Sequence, residues 1–97
     1  MAASIHVVAH FRAKAGKEDA LKNVLIAMVA PTRRELGCYQ YDLLQSPTDP
    51  RDFCFVERWD GEKALDQHLD TEYVKKGLTA ATELIEGQPE GRRYHIV

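Results

Sequence analysis

Four histidines, His6, His10, His68 and His95, are the side chains of this 97-residue chain whose ordinary pKa lies near neutral pH. His68 has the spacing that could put such a group to work. It follows Ala64 by four residues and Leu65 by three, so on a helix it shares their inward apolar face. A neutral imidazole held there can take a proton from a bound molecule. Glu57 is the second candidate. It alternates in phase with Phe55 and Trp59, which sends its carboxyl to the side of those aromatics. Burial raises the pKa of a carboxyl, so Glu57 could act as a base, hold a substrate hydroxyl or orient His68. Trp59, Tyr41, Tyr39, Phe55 and Tyr73 could wall a slot for a planar ligand, and the same spacing also suits plain core. Gly77 lies on an apolar helix face, where it leaves room for a ligand or for close packing.

The remaining polar residues read as surface. His6 and His10 point to the opposite face of their strand and are assigned to an interface between two copies. His95 is a solvated strand residue. The Arg33–Arg34 and Lys75–Lys76 pairs read as solvated helix faces. Cys38 and Cys54 form no CxxC pair, and no Cys/His cluster has zinc spacing, so no metal is expected.

The elements that must position these groups follow from periodicity. Ile5 to Lys14 alternates, with Ile5, Val7, Ala9, Phe11 and Ala13 on the apolar face. Leu21, Val24, Leu25 and Met28 mark a helix, which Pro31 should kink or break; one further turn, Thr32 to Leu36, follows it. Cys38 to Gln45 and Asp52 to Trp59 form an antiparallel hairpin, with Tyr39 near Trp59 and Leu43 near Phe55. That register keeps the two cysteines about six residues, roughly 20 Å, apart along the ladder. Asp60 caps a helix from Gly61 to Leu69. Thr71 caps a longer one carrying Val74, Gly77, Leu78, Ala81 and Ile85. Arg92 to Val97 is a last strand. This order fits an α+β fold of the ferredoxin-like split βαβ type, a four-stranded antiparallel sheet with helices on one face.

Composition sets the outer bounds. Hydrophobic residues make up 44% and charged residues 29%, values of one folded domain spanning 1–97. Thirteen basic against fifteen acidic residues leave −2, which argues against a nucleic-acid binder. The longest apolar run is Val24 to Ala30, far below the ~20 residues of a membrane span. The start, Met1 to His6, has no basic or long apolar export region, so a cytoplasmic location is expected. A small domain that hollows out a pocket loses core, and pairing two copies restores it. A homodimer pressed over His6, Val8 and His10 would do so.

Several segments resemble one family. Val7 to Glu18, Ala30 to Cys38, Phe55 to Trp59 and Ala64 to Leu69 look, in order, like antibiotic-biosynthesis monooxygenase domains. The resemblance implies a dimeric α/β barrel. It implies one of three activities: cofactor-free oxidation of quinols or anthrone-like polyketides, haem degradation, or isomerisation of a phosphorylated autoinducer sugar. This chain departs from the haem-degrading branch, whose pocket asparagine and haem-ligating histidine fall near Ala9 and Leu78. It also has Thr71-Glu72-Tyr73 where many relatives have Pro-His before the aromatic residue. The reading is therefore a monooxygenase, without metal, flavin or haem, acting on a quinol- or anthrone-like molecule with O2. His68 serves as base or hydrogen-bond donor, Glu57 as its partner, and Trp59, Tyr41, Phe55 and Tyr73 as walls. Two alternatives stand. One is an isomerase of a phosphorylated or hydroxylated carbonyl compound, with Arg12, Arg33 or Arg34 on the phosphate. The other is a non-enzymatic, stress-related dimer that binds a small ligand.

Overall fold

Alternation along the first strand decides which side of the sheet is covered. In a computed structural model describing residues 3–97, β1 (Ile5–Arg12) buries Ile5, Val7 and Phe11 and turns Val8 and His10 outward. It occupies an inner place in the sheet. β3 (Asp52–Trp59) pairs with one side and β4 (Glu90–Tyr94) with the other, both antiparallel. β2 (Cys38–Gln45) closes the far edge against β3, giving the order β2-β3-β1-β4. This is the ferredoxin-like α+β arrangement. Leu21 and Leu25 of α1 (Glu18–Ile26), Leu65 of α3 (Gly61–Leu69) and Ala81 of α4 (Glu72–Thr82) meet the inner face in one core.

The helix break lies before Pro31, not at it. α1 ends at Ile26, and α2 (Val29–Arg33) carries Pro31 as its third residue. Proline has no N–H to give Ala27, four residues back. The chain therefore tightens at Met28, whose N–H reaches Leu25 O at 3.2 Å, and a new helix starts. Pro31 then falls in a first turn, where no N–H is required. The turn expected at Thr32 to Leu36 accordingly begins earlier, at Val29.

Three further expectations shift locally. Leu43 pairs with Phe55 as read from sequence, but a bulge between Cys38 and Gln40 puts Cys38 opposite Trp59. The extra residue, Tyr39, is 53% exposed, and its ring lies under the Arg58 guanidinium, 4.8 Å away. It does not line the cavity between the sheet and the helices. Asp60 and Thr71 hold the N-cap positions without side-chain cap bonds. The Asp60 N–H is tied to Gly37 O at 2.8 Å, and its backbone is not extended as a capping residue's is. The Thr71 hydroxyl instead donates to His68 O at 2.7 Å, which joins α3 to α4. The last strand covers 90–94, not 92–97, because its place is fixed by pairing with β1 and not by its own pattern. Cys38 and Cys54 are free thiols, five ladder positions apart, because the bulge takes up one residue of β2. Met1 and Ala2, the start of the segment read for an export signal, lie outside the described residues.

Candidate functional site

Between the inner sheet face and the helices lies a cavity of about 250 Å³. Val7, Ala9 and Phe11 of β1 and Phe55 of β3 form its floor; Met28, Leu65 and Leu78 close it from the helix side. Into this apolar space project Tyr41, Glu57 and His68, from β2, β3 and α3, and Arg93 of β4 borders it. Arg93 is clamped to α3 through Glu62 at 3.0 Å and Asp66 at 2.9 Å.

His68 faces inward as its spacing predicts and is 2% exposed. Its ring lies 4.5 Å from the Trp59 ring and 5.5 Å from that of Tyr41. Nδ1 stands 2.8 Å from Glu35 Oε2. A carboxylate only accepts, so the Nδ1 proton is directed at Glu35 and Nε2 keeps its lone pair. Among the described residues nothing hydrogen-bonds to Nε2. Burial lowers the pKa of His68, and the Glu35 carboxylate opposes that shift. The net shift favours the neutral ring.

Glu57 does not pair with His68, contrary to the expectation. Its Oε1 accepts the Trp59 indole N–H at 2.8 Å. The two residues share one strand face two positions apart, and a fully buried indole needs an acceptor. Burial pushes the Glu57 pKa up to about 7; the Trp59 N–H works against this and the nearby Glu35 charge adds to it. Glu57 therefore titrates near neutrality while lining the cavity. Burial also pushes the Tyr41 phenol well above its usual value, so it remains a hydroxyl donor. Its ring stacks on Phe55 at 4.6 Å.

Of the four expected walls, Tyr41 and Phe55 line the cavity and Trp59 and Tyr73 do not. Trp59 is 0% exposed and serves behind the wall, against Glu57 and His68. The Tyr73 hydroxyl donates to Glu35 Oε2 and lies 3.0 Å from Thr32 Oγ1. The side chain that sequence reading missed is Glu35. It sits in the turn after α2, thirty-three residues from His68, where no periodicity reaches. The one available signal was that a buried imidazole must find a partner.

Other assignments fall into place by position. Arg12 binds Asp49 at 2.8 Å, Arg33 binds Tyr41 O and Asp42, and none of Arg12, Arg33 and Arg34 lines the cavity. His10 lies on the outer face, 2.5 Å from Asp52 Oδ1. Ala9 and Leu78 are both cavity walls, and neither side chain can ligate iron. Gly77 makes close packing: a Cβ there would stand 2.6 Å from Met28 Sδ.

Fold and site together define a class: small ferredoxin-like α+β proteins with a mostly apolar cavity between sheet and helices. The chain belongs to the antibiotic biosynthesis monooxygenase family, whose sequence profile matches residues 4–80. It is 38% identical over 85 residues to a Mycobacterium tuberculosis protein named "Putative monooxygenase Rv0793", covering 88% of this chain and 83% of that one. The crystal structure of PA3566 from Pseudomonas aeruginosa superposes with a TM-score of 0.92 at 31% identity, covering 100% of this chain and 97% of that one. That of SO0527 from Shewanella oneidensis gives 0.92 at 33% identity, covering 99% and 93%.

Proposed function

We propose that this protein is a monooxygenase that needs no bound cofactor and oxidises a small quinol-like aromatic with O2. One observation carries the reading: an imidazole whose Nε2 has no hydrogen-bond partner among the described residues lines a mostly apolar cavity, with Tyr41 and Glu57 beside it. Family membership and the monooxygenase name of the mycobacterial relative support the reaction class. The substrate hydroxyl gives its proton to His68 Nε2, and the electrons stay on the ring oxygen. The electron-rich anion reduces O2 by one electron, and the two radicals join in a carbon–oxygen bond. The hydroperoxide then loses water, with the proton returned from His68. Overall the substrate loses two hydrogens and gains one oxygen atom, and the second oxygen leaves as water. Tyr41 and Glu57 hold the ring's oxygens on the polar wall.

Size narrows the substrate. An apolar cavity of about 150 Å³ takes a benzene ring. The larger space here, about 250 Å³, suits one or two fused rings better than a three-ring anthrone. A phosphorylated substrate fits poorly, since Arg93, the arginine lining the cavity, is engaged by two carboxylates. We place the working form in the cytoplasm as a homodimer, with a second copy over the outer sheet face around Val8 and Leu44.

Oxygen uptake by metal-stripped protein with a panel of one- and two-ring quinols tests the reading. Saturable uptake is expected, with His68→Ala losing at least about 100-fold in kcat, the lower range of a general base's contribution. Uptake no faster than buffer across the panel contradicts oxygenation. Tight ligand binding without uptake would identify a binding protein instead.

A further inference from the structure

The imidazole of His68 is surrounded by titratable groups from several elements. Glu35 reaches it from the α2–β2 turn, Tyr41 from β2 and Tyr73 from α4, while Glu57 of β3 shares the cavity and Trp59 with it. Cys38, at the start of β2, feels both Glu35 and Glu57. Of these, Glu35 makes the bond to Nδ1. Its single atom Oε2 receives two donors, the His68 Nδ1–H at 2.8 Å and the Tyr73 hydroxyl. Glu35 is 19% exposed in its side chain and His68 3%, so the carboxylate spans from the solvent edge to the buried ring.

We propose that Glu35 is the positioning residue that makes His68 a base, and that Tyr73 tunes it by sharing the same carboxylate oxygen. The inference rests on the reading of His68 as the base. Glu35 holds the proton on Nδ1 and so leaves the Nε2 lone pair for the cavity. When Nε2 takes the substrate proton, the substrate O–H bond breaks, an N–H bond forms, and the oxygen keeps the electron pair. The ring is then an imidazolium, and the adjacent carboxylate balances its charge in a place where water cannot. Nδ1–H need not leave the ring, and Glu35 need not be protonated. The Tyr73 hydroxyl draws on the same negative charge and makes Oε2 a weaker acceptor for His68.

A carboxylate that merely tied the α2–β2 turn to α3 would act through shape. Charge and shape separate in a titration of His68 by 15N NMR, on ligand-free protein. In the wild type, the neutral ring carries its proton on Nδ1. Glu35→Gln keeps the shape and removes the charge, and the His68 midpoint falls by about one pH unit or more. Tyr73→Phe removes the competing donor and the midpoint rises. An Nε2–H tautomer in the wild type, or a folded Glu35→Gln variant with an unmoved midpoint, overturns the proposal. So does a Tyr73→Phe midpoint that is unchanged or falls, which keeps the test decisive if Glu35→Gln does not fold. These readouts need no turnover, so a failed oxygenase reading leaves them intact.

Discussion

Burial disfavours the charged form of both His68 and Glu57 and so moves their pKa values in opposite directions. For Glu57 the folded value, about 7, lies above the ordinary 4.5. Between those two values the folded protein holds a proton that the unfolded chain has lost, so stability falls as pH rises through that window. The full loss is on the order of 3 kcal/mol. His68 acts the other way: its folded pKa is lowered, so protonation favours the unfolded chain as pH falls below about 6.5. Comparison with Glu57→Gln isolates the carboxyl. That variant keeps an acceptor for the Trp59 indole and should gain on the wild type from pH 4 to pH 8, by that amount, in urea titrations. A constant difference across the range would mean that Glu57 titrates like an exposed carboxyl. Glu57 and His68 were legible in the sequence because each lies in phase with a buried apolar set. Their pairing was not legible, since a shared face says nothing about which neighbour an oxygen meets. Trp59 claims Glu57, and Glu35 claims His68.

Glu35 owes its place to an element junction. The α2–β2 turn ends at Gly37, with φ +87°, and Gly37 O accepts the Asp60 N–H that opens α3. A Cβ on Gly37 would stand 2.8 Å from the Ala64 Cβ. Gly37→Ala therefore meets both a left-handed backbone and a methyl group on a helix, and should cost about 2 kcal/mol or more. Adding Ala64→Gly should recover the contact but not the backbone strain. A full recovery in denaturant titrations would assign the whole cost to the contact. The elements themselves were legible wherever one face is buried. β1 and β3 alternate cleanly because a slip of one residue would turn their core residues outward. β4 was misplaced because all five of its residues are exposed and no core enforces a pattern on it. The break before Pro31 was displaced for another reason. The missing N–H acts on a carbonyl four residues upstream, and the chain solves the problem there.

At the scale of the whole molecule, one sheet face is covered by helices and the other is not. Val8 at 40%, Leu44 at 50% and Tyr94 at 47% exposure lie on the uncovered side or its edge. A second copy pressed there gives a species of twice 11.0 kDa in sedimentation equilibrium at micromolar concentration. Val8→Asp should shift that species towards the single chain. A wild-type mass of 11.0 kDa would remove the homodimer. The fold class was readable from element order alone, whereas pairing of copies leaves no periodicity beyond a strand face, His6, Val8 and His10, that is mixed and not strongly polar.

The central claim is that oxygen from O2 enters a small aromatic in this cavity through proton removal by His68. Mass spectrometry of the product formed under 18O2, with metal-stripped protein and a two-ring quinol, tests it most directly. The account predicts one labelled oxygen atom per product, the second label in water, and no enzyme-dependent product from His68→Ala. Unlabelled product, or labelled product formed equally fast by His68→Ala, would contradict it.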